Sequence, residues 1–277
     1  MWIKTAHQEN YHYQSIILEL KCNLHPYFFS MRKILKSIGD YLLLLKRAFF
    51  SKPENYRIYW NDFTSQLAYM GINTIPIVAV VSVFLGAVTV VQVAYQLISP
   101  LLPPTIISQV ARDIIVLELS PTILCIILAG VIGSKMASEI GNMRVSEQID
   151  ALEVMGTNSA SYLIAPKVIA SLIAIPILVI FSIIVALIGG RIAAASAGIV
   201  NGEIYDMGLR LSFKPFNIWY ALIKAFVFAF IISTSSAYYG YNVKGGSLEI
   251  GKATTTAVVM SAILILVADY VIAALLL

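Results

Sequence analysis

No histidine follows residue 25 in this 277-residue chain, where His7, His12 and His25 are the only three. That removes Ser–His–Asp and Cys–His relays from everything downstream. Cysteine is as scarce: Cys22 and Cys125 stand far apart with no CxxC spacing, so neither a disulfide framework nor a zinc site is indicated. The early histidines with Cys22 match no metal-ligand spacing, and no metal is expected. Charge is scarce too. Charged residues make up 12% of the chain, where an ordinary soluble domain carries roughly 25%. None at all occurs from Phe63 to Ala111, and 59% of the residues are hydrophobic. The chain reads as an integral membrane protein.

What is present begins unevenly. Residues 1–30 mix His, Asn, Gln and Tyr with one short apolar run at Ile16–Leu18, too short for a signal-peptide core. They read as an extension of unknown role, with Met31 as a candidate start of the functional chain. From there Ile34, Ile38, Tyr41, Leu42, Leu45 and Phe49 repeat at helical spacing, among Arg32, Lys33, Lys36, Lys46 and Arg47. A basic amphipathic helix of this kind can lie among lipid headgroups. Leu43 and Leu44 interrupt its polar face, which leaves an ordinary packed helix as the competing reading. Lys52-Pro53 ends it, and Tyr56, Tyr59 and Trp60 suit a membrane interface.

Five apolar stretches of bilayer length follow: Ile75–Tyr95, Ile114–Ile132, Val168–Ile188, Ile218–Tyr239 and Thr254–Leu277. Pro100, Pro103 and Pro104 mark the first turn, and Gly189-Gly190-Arg191 is expected to end the third span. Polar loops are expected around Glu203–Lys214 and over Asn242–Lys252. Three parts result: the extension 1–30, an interfacial helix and connector over 31–62, and a five-span domain over 63–277. With a cytoplasmic N-terminus, fourteen of the 19 Lys and Arg fall on the cytoplasmic side. That side then includes Lys135, Arg144, Lys167, Lys244 and Lys252, against Arg112, Arg191, Arg210 and Lys214 opposite. The positive-inside rule favours this orientation, with the C-terminus outside.

Between the second and third spans lies a polar island, Ser138–Gly156, with Glu139, Glu147, Asp150 and Glu153 set against Arg144. Ser146 is a candidate N-cap, Glu147 and Asp150 favour the positive end of a helix, and Gly156 suits a left-handed stop. A short helix of about two and a half turns is expected. It would gather Val145, Ile149, Leu152 and Met155 on one face and Glu147, Asp150 and Glu153 on another. A solvated loop helix is the plain alternative. Just before the island, Ala129, Gly133 and Ala137 form one stripe of small residues, and Gly130, Ser134 and Ser138 the next. Gly130, Gly133 and Ala137 are expected to let another helix approach closely.

The run Gly246-Ser-Leu-Glu-Ile-Gly251-Lys252 has the spacing of a phosphate-binding loop. Ala253 stands where the metal-binding hydroxyl belongs, and a span precedes it in place of a strand. It reads as a glycine-rich turn, so no ATP hydrolysis is expected on this chain. Three ionisable residues fall within spans: Glu118, Lys224 and Asp269. Such groups by default face protein or a water-filled path, which makes them candidates for a transport path. Alternatively they lie near helix ends, where Lys224 would snorkel to the interface.

The segment Gly133-Ser-Lys-Met-Ala-Ser-Glu139-Ile-Gly141-x-Met143-Arg144-Val-x-Glu147-Gln148-Ile-Asp150-Ala-Leu152-Glu153-Val-Met155-Gly156 resembles the signature of MlaE-type permeases. These are the membrane subunits of lipid-transporting ABC complexes associated with MCE proteins. Leu117-Glu118-Leu-Ser-Pro121, Tyr162-Leu-Ile-Ala-Pro166 and Tyr239-Gly-Tyr241-x-Val-Lys244-Gly-Gly246 are similar to the family as well, so the likeness spans about residues 31–277.

The resemblance implies an all-α integral membrane protein: an N-terminal interfacial helix, five transmembrane helices and a short cytoplasmic coupling helix between the second and third. It further implies a homodimer in the bacterial inner membrane, a separate cytoplasmic ABC ATPase that holds ATP and magnesium, a periplasmic MCE-domain partner and phospholipid cargo. No cofactor is implied on this chain, and no nucleic acid. Coupling to the ATPase would fall to Glu139, Met143, Arg144, Glu147, Gln148, Asp150, Leu152, Glu153, Met155 and Gly156. The same fold carrying a sterol-like or other hydrophobic cargo is the nearest alternative, followed by a membrane scaffold with no path.

Overall fold

The computed structural model of the protein describes residues 36–49, 56–97 and 103–276. The extension, the start at Met31, the Lys52-Pro53 break and the turn at Pro100 lie outside the described residues. The described residues are almost wholly helical, with no strand among them. In chain order the helices are α1 (36–49), α2 (Tyr56–Ile72), α3 (Ile75–Gln96), α4 (Thr105–Val145), α5 (Gln148–Val154), α6 (Ser159–Ser196), α7 (Gly202–Arg210), α8 (Phe216–Tyr241) and α9 (Ser247–Leu276). Most of α1 belongs to a compact unit ending at Arg47, and everything from Ala48 on forms a second. Within α1, Ile38 and Leu42 are exposed, as are Lys36 and Lys46.

Five helical stretches among the described residues are long and apolar enough to cross a membrane: Tyr59–Gln96, α4, α6, α8 and α9. They contain the first four expected spans and the fifth as far as Leu276, and each begins ahead of the apolar core that marked it. Lipid offers no water to backbone groups, so the chain stays helical until it clears the hydrocarbon. The first stretch is broken at Asn73-Thr74. There the Thr74 hydroxyl turns back to the carbonyls of Met70 and Gly71, and Pro76 enters the first turn of α3, where its missing N–H costs nothing. α4 is continuous for 41 residues but π-wound over Ile115–Ile123, which includes Pro121, and again over Ala129–Gly133. α6 runs for 38 residues, about 57 Å at 1.5 Å per residue.

Two expectations about connections are corrected. Gly189 and Gly190 do not end the third span; they lie inside α6 and serve its contact with α3. An added Cβ at Gly189 would stand 2.6 Å from the Val83 carbonyl oxygen, and one at Gly86 would overlap the carbonyl of Ala186. Helices in lipid gain little from apolar burial against each other, so close backbone approach supplies the attraction. Hydroxyls add to it: Ser82 donates to Ser182 at 2.7 Å, and Ser182 to Ser120 at 3.5 Å, tying α3, α6 and α4 together.

The second correction concerns Asn242–Lys252. α9 already begins at Ser247, so Gly251 and Lys252 are helical, and Lys252 Nζ pairs with Glu249 Oε1 at 2.6 Å. The run therefore forms no phosphate loop. At the opposite end of the bundle, α7 is a helix where only a loop was expected. Its Tyr205 is fully buried among Val90, Val93, Ala111 and Ala194. Burial, with Asp206 beside it, pushes the Tyr205 hydroxyl up to about 12, so it stays protonated and donates to the Leu187 carbonyl at 3.4 Å.

Candidate functional site

Three helices bring the intramembrane charges into one cluster. Lys224 on α8 is completely buried, and its Nζ lies 3.0 Å from Glu118 Oε1 on α4 and 2.5 Å from Asp269 Oδ1 on α9. Its third proton goes to the Leu117 carbonyl at 3.0 Å. Thr122 completes the cluster, donating to Asp269 Oδ1 at 3.0 Å, with Glu118 Oε2 3.3 Å away. The Tyr220 ring lies 4.9 Å from the ammonium group.

All three donors of the lysine are thus used, which is what keeps a charged amine tolerable inside a span. The alternative in which Lys224 snorkels from near an end is corrected: it points inward. Exposure is uneven, at 0% for the Lys224 side chain, 18% for Asp269 and 48% for Glu118. The cluster therefore opens to one side of the bundle through Glu118. Sequence named the three charges separately; Thr122, one turn beyond Glu118, and the Leu117 carbonyl were missed.

At the other end, the polar island divides. Residues up to Val145 continue α4, and only Gln148–Val154 form the separate helix α5. Ser146 is not its N-cap; the Ser146 hydroxyl donates back to the Asn142 carbonyl at 2.8 Å, closing α4. Glu147 takes the cap position at φ 59°, with no side-chain cap bond. Gly156 is left-handed as expected, at φ 82°.

The acids of the island are largely engaged within the protein. Arg144 Nη1 binds Asp150 Oδ1 at 2.7 Å and stacks 5.8 Å from the Tyr241 ring at the end of α8. Glu153 Oε1 accepts from the Ser159 hydroxyl at 2.9 Å and from Tyr241 at 3.0 Å. Glu139 pairs with buried Lys167 on α6 at 2.6 Å and accepts from Gln66 Nε2 of α2 at 3.3 Å. These contacts lash α5 and its neighbours to α4, α6 and α8. Ser159 and Gln66 carried no sequence signal and Lys167 entered only the count of cytoplasmic bases, whereas Tyr241 sat in a quoted motif.

The face that α5 offers outward is accordingly different from the expected one. Ile149 is buried and Leu152 half-buried, but Met155 is 69% exposed and Val154 89%. Met155 therefore leaves the apolar face on which it was placed. Glu147, Gln148 and Ala151 are exposed beside this pair, while Met143 is half-buried in the last turn of α4.

Of the expected packing residues, Gly133 meets Ser236 and Ile232 of α8, and buried Ala137 lies against Gly240, where an added Cβ would be 2.7 Å from its carbonyl oxygen. Gly130 does not pack: nothing lies within 4 Å of an added Cβ. It lines an open cleft of about 1080 Å³, where Gly130, Ser134 and Ser138 of α4 face Ser247, Gly251 and Thr255 of α9.

Among the described residues no group of three or more metal-ligating side chains occurs. The comparisons with known proteins agree with one another. A family model described as Permease MlaE matches residues 63–275. A probable ABC transporter permease protein of Rickettsia bellii is 36% identical over 242 residues, covering 87% of this chain and 92% of that one. The chloroplastic protein Trigalactosyldiacylglycerol 1 of Arabidopsis thaliana is 33% identical over 222 residues, 78% of this chain and 61% of that one. A probable ABC transporter permease protein of Synechocystis is 32% identical over 214 residues, 77% and 81% of the two. The five spans, the lashed α5 and these matches lead to one statement: the chain is a multi-pass membrane permease subunit and belongs to the MlaE permease family.

Proposed function

We propose that this permease works as a homodimer that moves phospholipid between the bacterial inner membrane and a periplasmic MCE-domain partner, driven by an ABC ATPase on a separate chain. ATP and magnesium belong to that ATPase, and no cofactor is assigned here. The N-terminus and α5 are cytoplasmic in this reading, and the C-terminus periplasmic.

The observation that carries the reading is the side of the bundle through which Glu118 is exposed. A carboxyl group half-exposed within a span does not face hydrocarbon, so water or a second protomer stands beside it. α9 points the same way, being the least enclosed of the five spans. A lipid path between two copies satisfies both. α5 supports the ATPase: it is fixed to three spans, lies beyond their apolar length, and presents Val154 and Met155 outward. The name of the plant relative, which refers to a galactolipid, is consistent with lipid as the cargo class.

Purification of the full chain from its own membranes in mild detergent tests the proposal. A dimer bearing an ATPase chain, an MCE-domain chain and bound glycerophospholipid is expected. A monomer with neither partner and no lipid would overturn it, and a retained sterol-like molecule would reassign the cargo.

A further inference from the structure

The end of the bundle opposite α5 carries a feature that the transport reading does not use. α8 exposes Phe216, Trp219, Ile223, Phe226 and Phe230, each 39% to 66% accessible. Their spacing by three and four sets them on one stripe, and an exposed apolar stripe on a spanning helix faces hydrocarbon. Just ahead of it, Leu211 and Phe213 are exposed as well, and so are Arg210 and Lys214, which flank them in the chain.

The backbone that presents these two cations is held from beneath. Arg112 of α4 is buried, and its guanidinium donates to the carbonyls of Leu209 at 2.7 Å, Leu211 at 2.9 Å and Ser212 at 3.5 Å. It pairs with Asp113 at 3.0 Å and lies 5.7 Å from the Phe213 ring. Asn217 Nδ2 reaches the same Asp113 at 3.4 Å. Ser212 is held at φ 52°, a left-handed conformation that an unanchored serine would seldom keep.

We infer that Arg210 and Lys214 form a headgroup site for an anionic phospholipid of the surrounding leaflet, whose acyl chains lie along the α8 stripe. Two observations select this occupant. The patch runs without a break into the hydrocarbon-facing flank of α8, so what covers the one continues over the other. Its charge is also uncompensated: Arg112 is paired with Asp113 and Arg191 with Asp206, but among the described residues neither Arg210 nor Lys214 has an ion-pair partner. Glu203 lies seven residues from Arg210, about 10 Å along α7. Cations bracketed by aromatic side chains at a span's end are what an anionic headgroup layer attracts. The inference rests on the membrane-spanning fold alone and stands whatever cargo or ATPase the permease has.

The full chain carrying W2F and W60F retains Trp219 as its single tryptophan, excited selectively at the red edge of the absorption band. It is reconstituted in phosphatidylcholine vesicles containing a minor fraction of brominated phosphatidylglycerol or of brominated phosphatidylcholine. The brominated anionic lipid is expected to quench Trp219 with an apparent association on the order of five-fold stronger per base than the zwitterionic one. R210Q/K214Q should abolish that preference while leaving quenching by the zwitterionic lipid, and the charge-keeping R210K/K214R should retain it. Equal quenching by the two lipids, a preference that survives R210Q/K214Q, or one lost in R210K/K214R would overturn the site. Absence of quenching by either lipid would also overturn it, since protein would then cover the stripe.

Discussion

Lys224 Nζ stands 2.5 Å from Asp269 Oδ1, joining α8 to α9 inside the membrane. Replacing Lys224 by Met removes the cation but leaves two carboxylates close together, and an uncompensated buried charge is costlier than a missing pair. A loss of about 3–5 kcal/mol is expected from the Asp269 side, with little added by half-exposed Glu118. The thermal midpoint in detergent should fall steeply for K224M and recover in part for K224M/D269N. An unchanged midpoint in K224M would mean that the cluster does not hold α9.

Val154 and Met155 support no internal packing at their exposure, so changing both to Ser should leave the thermal midpoint nearly in place, within about 0.5 kcal/mol. In the proposed assembly the same change should strip the ATPase from the purified complex. Retention of the ATPase by V154S/M155S would remove α5's outward face from the interface.

Glu153 and Tyr241 should behave as one unit, since Tyr241, Ser159 and Glu153 share hydrogen bonds. A double-mutant cycle of E153Q and Y241F is expected to give a coupling of about 0.5–3 kcal/mol in unfolding. Additive effects would show that α5 is held by Arg144 and Asp150 instead.

Gly86 and Gly130 should respond in opposite ways to a larger side chain. Gly86→Ala drives a methyl into the Ala186 carbonyl, and because that obstacle is backbone the cost is expected to reach about 1–3 kcal/mol or more. Gly130→Ala meets nothing within 4 Å and should be close to neutral. Yield of folded, monodisperse protein separates the two.

Tyr205 gives a dependence on pH with a defined sign. Its hydroxyl titrates near 10 when unfolded and about 12 in the folded chain. Below pH 10 both states are neutral and the full stability is present. Between 10 and 12 the unfolded state alone ionises, and stability falls by up to about 1.4 kcal/mol per pH unit. Thermal midpoints of Y205F and the unsubstituted protein should diverge above pH 10, with Y205F less sensitive.

The spans were legible because bilayer thickness writes itself as run length, and Gly156 because a left-handed stop prefers glycine. Ser146 misled because a serine closing one helix and a serine opening the next look alike in sequence; only the direction of its hydroxyl differs. Gly189-Gly190 misled for a related reason, as glycine marks both helix ends and close crossings, and in lipid the second use is common. Glu118, Lys224 and Asp269 were each conspicuous, but their union depends on how α4, α8 and α9 pack, which no spacing within one helix records. The engagement of Asp150 and Glu153 within the protein was hidden likewise, since their partners Arg144, Ser159 and Tyr241 come from three separate spans.

Pro121 gives the charged cluster a dependence on backbone chemistry as well as on charge. It lies in the π-wound part of α4 with Glu118 and Thr122, and it supplies no N–H to the turn before it. An evolutionary exchange of proline for alanine would look conservative in volume and leave every charge in place. It would nevertheless return a hydrogen-bond donor to the stretch whose winding sets Glu118 and Thr122 about Lys224, so the proline acts as a placeholder whose contribution is a hydrogen atom withheld.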